Sequence, residues 1–486
     1  MIGLVGTRNQ QRRAAKAKQR RKQARAQETA RTRLEGEDWT ASSPYDQALA
    51  VVEEALDEVA ATDREVDPSA AVVGAVARLH QRPGFARHVD QAFSDVVQTQ
   101  IQSVWARGWQ PRDVVGTISR MGASAAVLAM AGDAMAADIA EHAAATVDDR
   151  FHEQLADIDA RAERWPRADL IADLAKRSSG RPVDAIADLL CLATRLCWLP
   201  AIPVLCPPPG QARPGHPARA GDTRLLERVR GLLAKAESTP HEAEAEALTA
   251  KAQELMTRHS IDQALLASSA DPQEPGGVRL AMDNPYAGEK FLLLNQVAKA
   301  NRCQAVWSSE MGFATVLGFP ADLRAVEILY TSLRMQATQA MLKAGSRPLY
   351  GGGHRTTSFR RSFQRSFAAR IGERLADTDS SIVRDSQASH DNLLPVLAGR
   401  AQQVKQYSSR IFPNLVHKSM PGTWDPEGWA LGRHAADLAP LTDLPSVGTA
   451  STGAAGSGGT GMASSGWSLG LGAALGSGDV QDELPL

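Results

Sequence analysis

The chain has 486 residues, a formal net charge of −1 and 5% aromatic residues, with abundant alanine; the length suits two or three domains and the composition favours helices packed through small side chains. Its four cysteines (Cys191, Cys197, Cys206, Cys303) show no CxxC pairing and no matching histidine spacing, which argues against zinc and fits a reducing cytoplasm. No apolar run approaches the roughly 18 residues of a membrane span, and Met1 to Gly6 is too short for a signal-peptide core, so a soluble cytoplasmic protein without a membrane partner is expected.

Charge is distributed unevenly along the chain. Residues 7–35 hold eleven Lys and Arg, among them Arg12, Arg13, Arg20 and Arg21, against Glu28 and Glu35, a net of +9. Such a block cannot bury a core, so residues 1–36 read as a disordered basic arm or a solvated helix. Residues 37–199 read as successive helices, with apolar steps such as Leu49, Val52, Leu56 and Val59, punctuated at Pro83-Gly84, Pro111 and Gly180-Arg-Pro182. Seven prolines between 200 and 217 mark residues 200–221 as an extended linker.

A helical hairpin is written out over 222–268. Asp222 or Thr223 can cap a first helix whose Leu225, Val229, Leu232, Leu233 and Ala236 share one face. Thr239, Pro240 and Glu242 form a capping box for a second helix with a seam of Ala245, Leu248, Ala252 and Leu255. The helix start explains His241 better than a paired-histidine metal motif does, because Ala245 stands where the second histidine would be needed.

The leucine-rich first helix ending at Leu233 to Glu237, then Pro240 to Glu244, Gln253 to Met256, and His259 resembles the bacterial and phage family catalogued as domain of unknown function 2786. Trp105-Ala-Arg-Gly-Trp109-Gln-Pro-Arg-Asp113, Ser358-Phe-Arg-Arg-Ser-Phe363 and Gly428-Trp-Ala-Leu-Gly432 extend a looser resemblance over residues 70–440. The resemblance implies no catalytic residue, since the family carries no assigned biochemistry.

Residues 269–287 read as a second Pro/Gly linker, and 288–440 as a small α+β domain. Within it Cys303–Trp307 and Phe313–Phe319 pair as a β-hairpin between helices at 288–300 and 320–343. Residues 343–374 carry eight Lys and Arg against Glu373, a net of +7. Phe359, Phe363 and Phe367 lie four apart, a stripe whose spacing is that of a buried face, and most of the arginines fall on the other faces. Tyr350-Gly-Gly-Gly-His-Arg355 precedes that helix and offers backbone amides at its N-terminus. From 441 a Gly/Ser-rich tail closes the chain and reads as disordered.

The fold expected is therefore mainly α with a small α+β C-terminal domain, a helical N-terminal region, a central helical hairpin and disordered tails. No GxSxG, Walker loop or dinucleotide fingerprint occurs, so no catalytic residue, metal or cofactor is assigned. The leading reading is a non-enzymatic nucleic-acid-associated or interaction protein whose phosphate contacts run through Arg355, Arg360, Arg361, Arg365 and Arg370 and through the arm's Arg12, Arg13, Arg20 and Arg21. Two other readings stand beside it. One is a nuclease- or peptidase-like hydrolase whose site gathers His241, His259, His354 or His390 with carboxylates. The other is a scaffold that docks a protein partner on an exposed Leu225/Leu232/Leu248/Leu255 strip.

Overall fold

Helix starts follow local chemistry. The hydroxyls of Ser69 and Ser124 accept from the amides of Val72 and Val127 at 3.3 and 3.2 Å, and prolines open the helices at 111, 182, 320 and 426, where a missing N–H costs nothing. The computed structural model of the chain describes residues 43–61, 68–166, 168–212, 220–238, 242–267, 274–345, 356–387, 393–415 and 425–439. The basic arm, the tail, Arg355, and the residues Thr239–His241 of the expected capping box lie outside them.

Among the described residues, eight α-helices make the N-terminal region: α1 (Pro44–Ala61), α2 (Ala70–His80), α3 (Ala86–Ala106), α4 (Pro111–Arg120), α5 (Ala125–Ala140), α6 (Asp149–Asp157), α7 (Leu170–Arg177) and α8 (Pro182–Trp198). They close over one core that includes Val52, Phe93, Ile101, Met135 and Leu189. The hairpin follows as α9 (Ala220–Ser238) and α10 (Glu242–Ala267). After it come β1 (Gly276–Ala281), α11 (Ala287–Ala300), β2 (Gln304–Ser308), β3 (Phe313–Gly318), α12 (Pro320–Lys343), α13 (Thr356–Gln387), α14 (Leu393–Ile411) and α15 (Pro426–Leu438). No described helix is long and apolar enough to cross a membrane.

The expected β2–β3 hairpin is present, with Val306 opposite Thr315. The sheet also has a third strand, in the order β1-β3-β2, with Val278 opposite Val316 and Arg279 opposite Thr315. That strand corrects the reading of 269–287 as a linker. Its apolar alternation misleads because the sheet is covered on both faces. Val278 and Leu280 pack toward the core formed by Leu294, Val316 and Leu329, while the residues buried on the opposite face are Gly277 and Arg279. β3 is buried along its whole length, with Phe313 in the N-terminal core and Ala314 and Val316 in the other.

Residues 105–113 join the sheet to the helices. Trp105 Nε1 donates to the fully buried Asp138 at 2.7 Å, and Trp109 Nε1 donates to the Pro200 carbonyl at 2.7 Å. Arg107 donates to the last carbonyls of α8, reaching Leu196 at 2.9 Å, which satisfies groups that a helix end leaves open. Gly108 has φ of +90°, and a side chain there would meet the Ile202 carbonyl. The described part of the proline-rich stretch, residues 200–212, is seated on the helices rather than free. Leu205 and Cys206 are buried, Ile202 N donates to Arg107 O at 2.9 Å, and Ala212 N donates to Thr146 O at 3.0 Å.

Trp105→Phe should lower stability by about 1–3 kcal/mol, because it removes the shortest of three donors to a carboxylate sealed from water. Urea unfolding checks this, and an unchanged midpoint at unchanged slope would show that Gln98 and Gln102 suffice.

Candidate nucleic-acid interface

Helix α13 is amphipathic in an unusual sense: one face is aromatic core and the rest is rich in arginine. Phe359, Phe363 and Phe367 are at most 1% exposed, with the first two packed beside Met341 and the third in the core of the α+β part. The stripe is therefore structural. α15 lies close enough to α13 that Gly428 and Gly432 stand directly over the Phe359 and Phe363 carbonyls, and Ser362 Oγ accepts from Asp425 N at 2.8 Å.

The arginines divide by what they already hold. Arg374 is buried and donates to the carbonyls of Ala436, Asp437 and Ala439, closing the C-terminal end of α15. Arg370 pairs with Asp437 and with Glu373 at 2.8 Å, and Glu373 is also gripped by Arg433 at 2.9 Å, which holds its carboxyl down at about 2. Arg365 Nε lies 3.2 Å from the buried Glu289. Arg360 and Arg361 differ from these. Arg361 is exposed, and Arg360 is half-buried with its Nε shielded from solvent and without an acceptor. A guanidinium can only donate, and the buried Nε of Arg279, Arg302 and Arg400 likewise lacks an acceptor, so the exposed Arg361 is the freer donor of the pair.

Two further cations that no local motif announces lie near α13. Lys290 of α11 and Arg334 of α12 line a shallow concavity with Gln364 of α13, one turn beyond Arg360 and Arg361. Lys290 Nζ donates to the Asp283 carbonyl at 2.8 Å, and burial together with the nearby Arg334 pushes its ammonium pKa down. Neither Arg334 nor Arg361 has a carboxylate pair among the described residues. Glu289, the acid nearest the concavity, is already engaged by Arg365. Fold alone brings Lys290 and Arg334 here from positions 44 residues apart, so pattern reading could not find them.

The other candidates are placed as follows. Arg355, Arg12, Arg13, Arg20, Arg21, His241, His354 and His390 lie outside the described residues. His259 is half-buried on α10, and no group of three His, Cys, Asp or Glu gathers to hold a metal among the described residues. The hairpin seam is used internally. Val229, Leu233, Ala252 and Met256 are buried in the α+β core, and Leu225, Leu232 and Leu255 pack against it. The end of α10 is tied down by polar contacts as well. Ser260 Oγ donates to Asp322, Arg302 reaches Ser260 at 3.1 Å and Asp379 at 2.8 Å, and Arg400 donates to the Ser260 carbonyl at 3.3 Å.

These features define a mostly helical protein with a small three-stranded antiparallel sheet and a helical hairpin set into its second core. Residues 224–263, the greater part of α9 and α10, match the family model described as "Protein of unknown function (DUF2786)", which bears out the resemblance read from the hairpin. No curated protein and no solved structure matches the chain.

Proposed function

We propose that the protein binds the phosphate backbone of nucleic acid through the strip formed by Arg360, Arg361, Lys290 and Arg334, with the basic arm adding sequence-independent attraction. The observation that supports this reading is that Arg360 and Arg361 of α13 and Arg334 of α12 have no carboxylate pair among the described residues, with Arg361 exposed. Phosphate oxygens accept hydrogen bonds from these cations, and release of counterions supplies most of the free energy. The strip reads no base edge, so binding is indifferent to sequence.

Fluorescence anisotropy with labelled single- and double-stranded DNA and RNA at several salt concentrations tests it. The Arg334→Ala, Arg360→Ala, Arg361→Ala variant should bind about tenfold more weakly near 0.1 M salt, with a log–log salt slope reduced by about 2 to 3. Unchanged affinity and slope would remove this surface from consideration. Because the Lys290 pKa is pushed down, affinity should also begin to fall at a lower alkaline pH than in Lys290→Arg.

A further inference from the structure

A second concavity lies on the N-terminal region, where α1, α3 and α8 leave a cleft of about 530 Å³. Its apolar lining includes Leu49, Leu56 and Val96, and its charged residues are Glu53, Asp57 and Asp95, with no cation among the described residues that line it. Asp95 accepts from the Tyr45 hydroxyl at 2.7 Å, which fixes one wall to the other. Thr194 also lines the cleft. It is 3% exposed, and its hydroxyl has no partner, a buried polar group that costs about 1–3 kcal/mol until something supplies one.

We propose that this cleft seats the chain's own basic arm, residues 7–35, and that nucleic acid competes with it for the arm. The competition rests on the function proposed above; the seating does not. Charge complementarity selects the occupant, since the arm carries a net of +9 and the cleft only carboxylates. Connectivity selects it again. Tyr45, the second residue of α1, lines the cleft, and Arg33 is ten residue steps from Ser43, a span of up to about 33 Å. Exposed ion pairs contribute only about 0.2–1 kcal/mol each, too little to hold a free polycation. A tether raises the local concentration to the order of millimolar, at which several such pairs suffice.

Cys197 reports occupancy directly, because it lines the cleft and is exposed while Cys191, Cys206 and Cys303 are buried. In the full chain at low salt, iodoacetamide should modify Cys197 on the order of fivefold more slowly than in a variant with Arg12, Arg13, Lys16, Lys18, Arg20, Arg21 and Lys22 changed to Gln. The two rates should converge near 1 M salt, and Glu53→Gln/Asp57→Asn/Asp95→Asn should lose the protection in the same way. Equal rates at low salt overturn the seating. Protection that fades on dilution also overturns it, because a second copy would then supply the arm. Added single-stranded oligonucleotide should unmask Cys197. An oligonucleotide that binds and leaves Cys197 protected overturns the competition. One that does not bind at all removes the nucleic-acid reading, while the salt and charge variants still decide the seating.

Discussion

Arg279→Met should destabilise the protein by about 3–5 kcal/mol at neutral pH, among the largest effects available to a single side chain here. Arg279 sits on the middle strand position of β1 with its side chain 1% exposed, 2.9 Å from Asp113 of α4. It also donates to the carbonyls of Gly108 at 3.0 Å and of Pro203, and its guanidinium lies 5.4 Å from the Phe313 ring centre. Methionine keeps much of the volume and none of the donors, so Asp113 would remain as a buried carboxylate without its countercharge. Burial already pushes the Asp113 carboxyl up, and the guanidinium pulls it back. Removing the guanidinium raises it further.

The pH dependence follows from that direction. A group whose folded pKa lies above its unfolded value contributes its stability fully below the unfolded pKa and loses it as pH rises through the folded one. The deficit of Arg279→Met should therefore be smaller near pH 4, where the carboxyl can take a proton, and should grow toward neutrality. Denaturant unfolding at pH 4 and pH 7, followed by tryptophan fluorescence, measures it. A deficit that is the same at both pH values would show that lost packing, not the uncovered carboxylate, is responsible.

The second large effect is expected at Gly432. In an ordinary exposed helix, Gly→Ala stabilises by roughly 0.5–1 kcal/mol by restricting the unfolded chain. Gly399 in the middle of α14 is such a position, with open space where a Cβ would go, and Gly399→Ala should show that gain. At Gly432 a Cβ would collide with the Phe363 carbonyl oxygen and the Ser366 hydroxyl, and at Gly428 with the Phe359 carbonyl oxygen. Two of these three obstacles are backbone and cannot rotate away. Gly432→Ala should cost about 2–3 kcal/mol by forcing α15 off α13, so the two substitutions have opposite signs although the residue change is identical. Unfolding midpoints of the two variants give the comparison, and a gain at Gly432 would mean that α15 does not lie on α13 as described.

Elements whose cause is local could be read in advance. The helix at 320–343 follows from Pro320 at its first turn, and the 304–318 hairpin follows from two apolar runs joined by a short polar turn. The hairpin's Val229, Leu233 and Ala252 are buried as their three- and four-residue spacing requires. β1 could not be read, because its buried position is Arg279 and its support is Asp113, 166 residues away. The candidate interface was half legible. Arg360 and Arg361 are visible in the charge pattern, but the pairing of Arg365 with Glu289 and of Arg370 with Asp437 is not, and neither is the approach of Lys290 and Arg334.

Composition and periodicity thus determined that this chain is mostly helical, that α9 and α10 pair with each other and that the aromatic stripe of α13 faces inward. Each of these rests on neighbours within about one turn of helix or one strand pair. The tertiary structure alone decided which arginines are paired within the fold. Whether a guanidinium meets a carboxylate or a carbonyl depends on elements distant in the chain: Arg279 and Arg374 are held by such partners, whereas no carboxylate pairs with Arg360 or Arg361 among the described residues.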